Sequence, residues 1–330
     1  EVGGKWLKRP LNPFEVEGPY DKCKDFQFRS PACEYYTLLF RMSAKIAGLS
    51  KSGRMAPQSV LETSMTNPRA SPSSPEAWGM NPGFATGEDP NNLIRKLRTA
   101  LDYMKTAQVV FPGYVTSEGF TQKFIRTLMT ASAYKAEVDY WKHCDPDYIA
   151  LAHSNLNSDN AYFWRDEAGI LDCGVFDWGG LGNSCLGHKL WWCINCADYE
   201  NTSVNMDAFI DAFVETYHEY GGPWVDRVVL KMQMLLTCLD NTLFMVAAVP
   251  NCNTMCPLKE WATIKDRSDP RIADNIDGKS TLRTTLHVMN HGVRILEEYG
   301  ADQTLEDWIQ DVWVGKFNQP RKSDAMVGLD

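Results

Sequence analysis

The sequence predicts a mainly α protein with a small β element inserted near its middle, an α+β class. Three observations carry this. Apolar residues recur at spacings of three and four through most of the chain. Three brief apolar runs interrupt that pattern between residues 149 and 176. With 44% hydrophobic and 12% aromatic residues, 330 residues suffice for a sizeable core.

The elements follow in order. Residues 1–32 are rich in Pro, Gly and charge ("KRPLNPFEVEGPYDK") and show neither period, which predicts an extended N-terminal arm. In Cys33–Leu49, Tyr35, Leu38, Leu39, Met42, Ile46 and Leu49 recur at helical spacing, with Gly48 and Gly53 at the end. Residues 64–92 hold too many Pro, Gly and Ser for a regular element and read as an irregular insertion. Helices are predicted over 92–108, with Asn92 as cap, and over 117–143, where Phe120, Phe124, Leu128, Tyr134 and Val138 line one face. Strands are predicted at Ile149–Ala152, Ala161–Trp164 and Cys173–Phe176, the last two joined by the turn "RDEAG". Further helices fall at 186–199, 205–220, 223–249 with Pro223 near its start, 279–299, and 304–314 opening on the cap-like "TLED". The organisation is thus an arm (1–32), a helical lobe (33–315) and a polar C-terminal tail (316–330).

Charge and hydropathy exclude some functions. The net charge is −9, and no basic run could track a phosphate backbone, so nucleic acid is not an expected partner. The most apolar window, Val228–Val249, contains Lys231, Gln233, Asp240 and Asn241 and reads as a buried core helix rather than a transmembrane segment. The chain starts at Glu1 without an apolar leader, which suggests a processed or trimmed N-terminus.

The most informative stretch is "HSNLNSDN", residues 153–160, followed by "VFDWGG" at 175–180. Phosphoryl transfer to a hydroxyl needs a carboxylate to orient or deprotonate the acceptor, and oxygen ligands to hold Mg²⁺ on the phosphates. Kinases supply these as an Asp, an Asn five residues later, and a second Asp beyond a short hairpin. Here the spacing is kept by His153, Asn155, Asn160 and Asp177.

These residues resemble the aminoglycoside phosphotransferase and choline kinase-like superfamily, whose "HGDxxxxN" and "DW" motifs "HSNLNSDN" and "VFDW" match from within a region of likeness spanning about 31–197. Helix order and the aromatic run "NAYFW" are similar to algal members of the group. The resemblance implies a kinase-like C-lobe, with His153 structural in the loop, Asn160 and Asp177 as Mg²⁺ ligands, and position 155 as the acceptor-activating base. At that position stands Asn155, a neutral amide that cannot take a proton near neutral pH. Ser154 also replaces the usual Gly. Asp159 is displaced from the base position and reads better as a turn residue or a solvated carboxylate.

A kinase-like fold also holds ATP beneath a β-rich N-lobe. Nothing before Cys33 reads as one: "EVGGKW" has two glycines and a Lys but no flanking strand. The expectation is therefore a pseudokinase-like domain, a C-lobe without a recognisable N-lobe, with no catalytic residue and no cofactor. It would serve as a structural or binding subunit that meets other protein subunits through residues 1–32 and 64–92. The resemblance to algal members points to an organellar setting such as a plastid photosynthetic complex, with the cytoplasm as the other setting. The alternative is a Mg- and ATP-dependent small-molecule phosphotransferase whose N-lobe is supplied elsewhere; otherwise Asn160 and Asp177 are relics.

Other signals are weaker. Cys185, His188, Cys193 and Cys196 have zinc-like local spacing, yet "GHKLWWCINCADY" also reads as one apolar helix with core-facing cysteines. Cys252 and Cys256 read as a disulfide or as buried free thiols. His287 and His291 lie four apart on a predicted helix without a third ligand and read as a core or surface pair. Of the eleven tryptophans, including Trp178, Trp191 and Trp192, exposed ones would mark a binding face.

Overall fold

The computed structural model describes residues 22–23, 28, 31–55, 87–153, 155–179, 181–276 and 281–329. The expected arm and the irregular insertion lie largely outside these residues, as does Ser154. The described chain is mostly helical with a few short antiparallel strands, as its periodicity predicts.

Helix α1, Cys33–Lys51, buries Tyr35, Tyr36, Leu39 and Phe40 on its inner face. Helix α2, Pro90–Thr106, is capped by Asp89 rather than Asn92: the Asp89 carboxylate accepts the Asn92 N–H at 3.0 Å, and Pro90 occupies the first turn, where its missing N–H costs nothing. The single helix predicted over 117–143 is two, α3 (Glu118–Ala133) and α4 (Lys135–Cys144), separated at Tyr134. Tyr134 leaves the helical conformation and buries its ring, with its hydroxyl accepting the Lys322 N–H at 2.7 Å.

Four strands follow. Strand β1 (Ile149–Ala152) pairs antiparallel with β4 (Gly182–Cys185), and β2 (Ala161–Arg165) pairs antiparallel with β3 (Leu171–Val175). The two ladders are nested, because β1 and β4 close the ends of the segment that contains the β2–β3 hairpin. Strand β4, "GNSC", has no apolar alternation to reveal it. The hairpin turns at 166–170, where the Asp166 carboxylate accepts the N–H groups of Ala168 and Ile170, both at 2.9 Å. Gly169 supplies the positive φ of 80° that the turn requires.

The remaining helices are α5 (Leu186–Ile194), α6 (Tyr199–Glu219), α7 (Arg227–Ala247), α8 (Val249–Met255), α9 (Pro270–Ala273), α10 (Leu282–Glu297) and α11 (Ala301–Asp307), which runs on as a π-helix over Trp308–Lys316, and α12 (Asp324–Val327). The helix predicted over 186–199 stops at Ile194, and the next starts at Tyr199 rather than 205. Pro223 lies outside α7, which is capped by Asp226 through the N–H of Val228 at 2.7 Å. Thr304 is not a cap: α11 begins three residues earlier, after Gly300.

Helix α7 sits at the centre, packed by α2, α3, α5, α10 and α11, while α1 lies along α6 and carries β1 and β3 on its other side. The close approach of α1 to α6 needs Gly48, where a Cβ would fall 2.8 Å from the Tyr217 carbonyl oxygen. By length and composition alone α7 could cross a membrane. Its polar residues Gln233, Thr237 and Asn241 are nevertheless buried among neighbouring helices, with Asn241 accepting the Trp191 indole N–H at 3.0 Å. The tail expected to be merely polar is docked: Trp313 donates to the Pro320 carbonyl at 3.0 Å, and Lys322 and Val327 are buried.

Candidate functional site

The nested ladders put two stretches side by side, residues 155–160 after β1 and residues 176–179 before β4. The Phe176 N–H donates to the Asn160 carbonyl at 3.1 Å, which continues the β2–β3 register into both loops. His153, buried at the end of β1, fastens them again from the other side, with Nε2 2.9 Å from the Phe176 carbonyl oxygen. Its Nδ1 accepts the Asn155 N–H at 3.2 Å, so the proton of the neutral ring resides on Nε2 and is donated to Phe176. The Trp178 ring lies edge-on to the imidazole with centroids 5.2 Å apart, and its indole N–H donates to the Val175 carbonyl at 3.2 Å. Sequence spacing alone did not point to Trp178 as a partner of His153.

Asn155, expected at the base position from the resemblance, is turned into the loop. Its side-chain oxygen accepts from the Asn157 amide at 2.7 Å, and its carbonyl accepts from the Asn160 amide at 2.6 Å. The Asn160 N–H closes a tight turn onto the Asn157 carbonyl at 2.9 Å. The Asn160 amide nitrogen is thus engaged in holding the loop. Asp177 is exposed and has a φ of 59°, one of two non-glycine residues with positive φ among the described residues. Asp tolerates the left-handed region better than most residues, and such outliers gather at functional loops.

Asp159 is neither solvated nor a simple turn residue. Its side chain is fully buried and pairs with Lys22 at 3.0 Å, while Ser158 Oγ donates to the Lys22 carbonyl at 3.1 Å. Lys22 lies far away in the sequence, where no local spacing could reveal it.

The zinc-like set is not assembled. Cys185 Sγ contacts Gln233 Oε1 at 3.2 Å, His188 accepts the Trp192 indole N–H at 3.4 Å, Cys193 lies against the Lys189 carbonyl, and Cys196 belongs to a small cluster with Cys23 and Val288. Burial pushes the Cys185 thiol up to about 11 and raises that of Cys193, which disfavours the thiolate a metal requires. Among the described residues, no three His, Cys, Asp or Glu side chains converge as metal ligands. Cys252 and Cys256 are buried thiols rather than a disulfide. The two α10 histidines are structural: His287 Nε2 lies 2.9 Å from the Ala197 carbonyl oxygen, and His291 bonds Thr202.

The outer face of the hairpin is aromatic. Tyr162 stacks on Trp164 at 5.4 Å and on Phe176 at 6.3 Å, and its ring crosses Gly174 on the paired strand, where a Cβ would fall 2.1 Å from it. Ile170, Phe176 and Trp178 are 64%, 45% and 42% exposed, an apolar run on one small element.

Neither family models, curated proteins nor solved structures give a match to this chain.

Proposed function

We propose that the chain is a catalytically inactive, kinase-like helical lobe that acts as a binding or structural subunit of a larger protein assembly. The observation that carries this reading is the closure of the 153–160 loop on itself. Asn155 has no basic group to offer an acceptor, and its side-chain oxygen, N–H and carbonyl are all engaged within the loop. Asn160 directs its amide to the same loop, and Asp159 is buried against Lys22. Residues to which the resemblance assigns the roles of a phosphotransferase loop instead form a staple between two β ladders. The exposed Ile170, Phe176 and Trp178 beside that staple supply the kind of surface that protein partners bury.

The test is Asn155→Asp, which restores the carboxylate at almost unchanged size. Both the wild-type chain and the variant are expected to show no Mg²⁺-dependent ATP hydrolysis and no phosphorylation of small-molecule hydroxyls above the no-enzyme rate. Robust turnover by the wild type would overturn the reading. Turnover by Asn155→Asp alone would overturn the staple as the reason for inactivity, since the scaffold would then retain the chemistry and lack only the base.

A further inference from the structure

The register of the β2–β3 hairpin decides which side chains it turns outward. Alternation along β3 places Asp172 and Gly174 on the outer face, and their cross-strand partners Trp164 and Tyr162 lie there with them. Phe176, just past the strand, joins this face by stacking on Tyr162 with centroids 6.3 Å apart, and Ile170, just before it, is 64% exposed. The opposite face is fixed by the core: Phe163 is buried, edge-on to Tyr35 of α1 with centroids 5.1 Å apart, so a slip of register would bury the wrong residues.

Charge decides what this apolar surface can take. Glu167 at the turn, Asp172 on the face and Asp177 after Phe176 are exposed, and among the described residues none of the three forms an ion pair. Arg165 does not offset them, because it is committed to Glu34 at 3.0 Å and to the Gly169 carbonyl at 3.1 Å. Asp172 accepts the Cys173 N–H through Oδ1 at 2.8 Å, which orients the carboxylate and leaves Oδ2 for a ligand. Such a surface repels phosphate backbones and anionic headgroups. A second copy meeting it face to face would set like charges against each other. A basic and apolar protein segment satisfies both features at once. The run from Ile170 to Phe176 spans about 20 Å when extended, with Asp172 between its apolar ends.

We infer that this face binds an extended segment of a partner subunit in which a basic residue lies between two apolar ones, with the cation on Asp172 and the apolar side chains on Ile170 and Phe176. The inference rests on the binding role proposed above and gives that role a surface and a ligand chemistry. It does not rest on the inactivity of the 153–160 loop, which turnover measurements test separately.

The probe is the acetylated, amidated and dye-labelled peptide Val-Thr-Arg-Thr-Val-Thr-Val, titrated with the full chain by fluorescence anisotropy. Salt is held at about 0.15 M, where attraction to the net charge of −9 is screened beyond about 8 Å. Saturable binding is expected, at least about 10-fold tighter than that of the same peptide with Glu in place of Arg. Asp172→Asn should weaken it by about 2–5-fold and Phe176→Ser by about 5–10-fold, whereas Asp102→Asn on the exposed face of α2 should leave it unchanged. Circular dichroism establishes that each variant is folded, and Ile170→Ser serves if Phe176→Ser does not fold. The inference is overturned by no saturable binding up to about 1 mM, by equal affinity for the Glu peptide, or by losses in Asp102→Asn as large as those in the hairpin variants. Self-association of the chain that Phe176→Ser abolishes would also overturn it, since a second copy would then own the face.

Discussion

His153 commits both ring nitrogens to holding one loop: Nδ1 takes the Asn155 N–H, and Nε2–H reaches the Phe176 carbonyl. Replacing it by Ala leaves a backbone donor and a backbone acceptor without their partner in a half-buried site, for which a loss of about 2–4 kcal/mol is expected. His153→Gln, which can still supply one donor, should lose less. Urea unfolding of the three proteins checks the order, and a loss in His153→Ala no larger than in His153→Gln would show that the two bonds do not hold the loop. That the stretches around Asn160 and Phe176 lie side by side was legible from spacing, because a hairpin of fixed length brings them together whatever the side chains do. The employment of their side chains was not. Whether an amide faces solvent or its own loop depends on neighbours such as Asn157, whose residue type carries no periodic signal. The burial of Asp159 depends on Lys22, far away in sequence.

At the scale of elements, helices such as α1 and α7 were legible because a buried face imposes a spacing of three and four, whereas their ends depend on single side chains. Asp89 rather than Asn92, and Asp226 rather than Pro223, mark the true starts. The division of α3 from α4 had no signal of its own, since Tyr134 continues the apolar stripe and is drawn out of helical geometry alongside the docked C-terminal segment. The anchor of that segment is Lys322, whose ammonium reaches Glu137 Oε1 and the Ala133 carbonyl with both charged side chains fully buried. Burial lowers the pKa of Lys322, while Glu137 opposes that shift. Removing one partner leaves a buried charge uncompensated, so Lys322→Ala should cost about 3–5 kcal/mol. The double change Lys322→Met with Glu137→Leu removes both charges and should recover most of that loss. Thermal and urea unfolding of the single and double variants decide this, and equal losses in the two would show that packing of the tail, not the pair, provides the anchorage.

Across the whole molecule, α5, α6 and α10 meet around one buried imidazole. His291 Nε2 lies 2.9 Å from Thr202 Oγ1 on α6, and Nδ1 lies 3.3 Å from the Asn195 carbonyl oxygen at the end of α5, so a side chain on α10 joins all three. Burial, with a smaller contribution from His287, holds its pKa down to about 3 against an ordinary value of 6.5; Asp198 acts in the opposite direction and Arg294 in the same one. The unfolded chain therefore takes up a proton here as pH falls below 6.5, while the folded chain resists until about 3. The stability that the neutral ring contributes is fully present above the unfolded value and is lost as pH falls toward the folded one, by up to about 1.4 kcal/mol per pH unit. Asp198, whose pKa is lowered in the folded state, adds a loss of the same sign at lower pH. His291→Gln abolishes the imidazole proton uptake and retains hydrogen-bonding capacity. Urea unfolding between about pH 6 and pH 4 should give the wild type a steeper decline than the variant, by about one proton's worth of slope. Parallel curves would mean that the junction opens to admit the proton without global unfolding, and the three helices would then not be joined at this point.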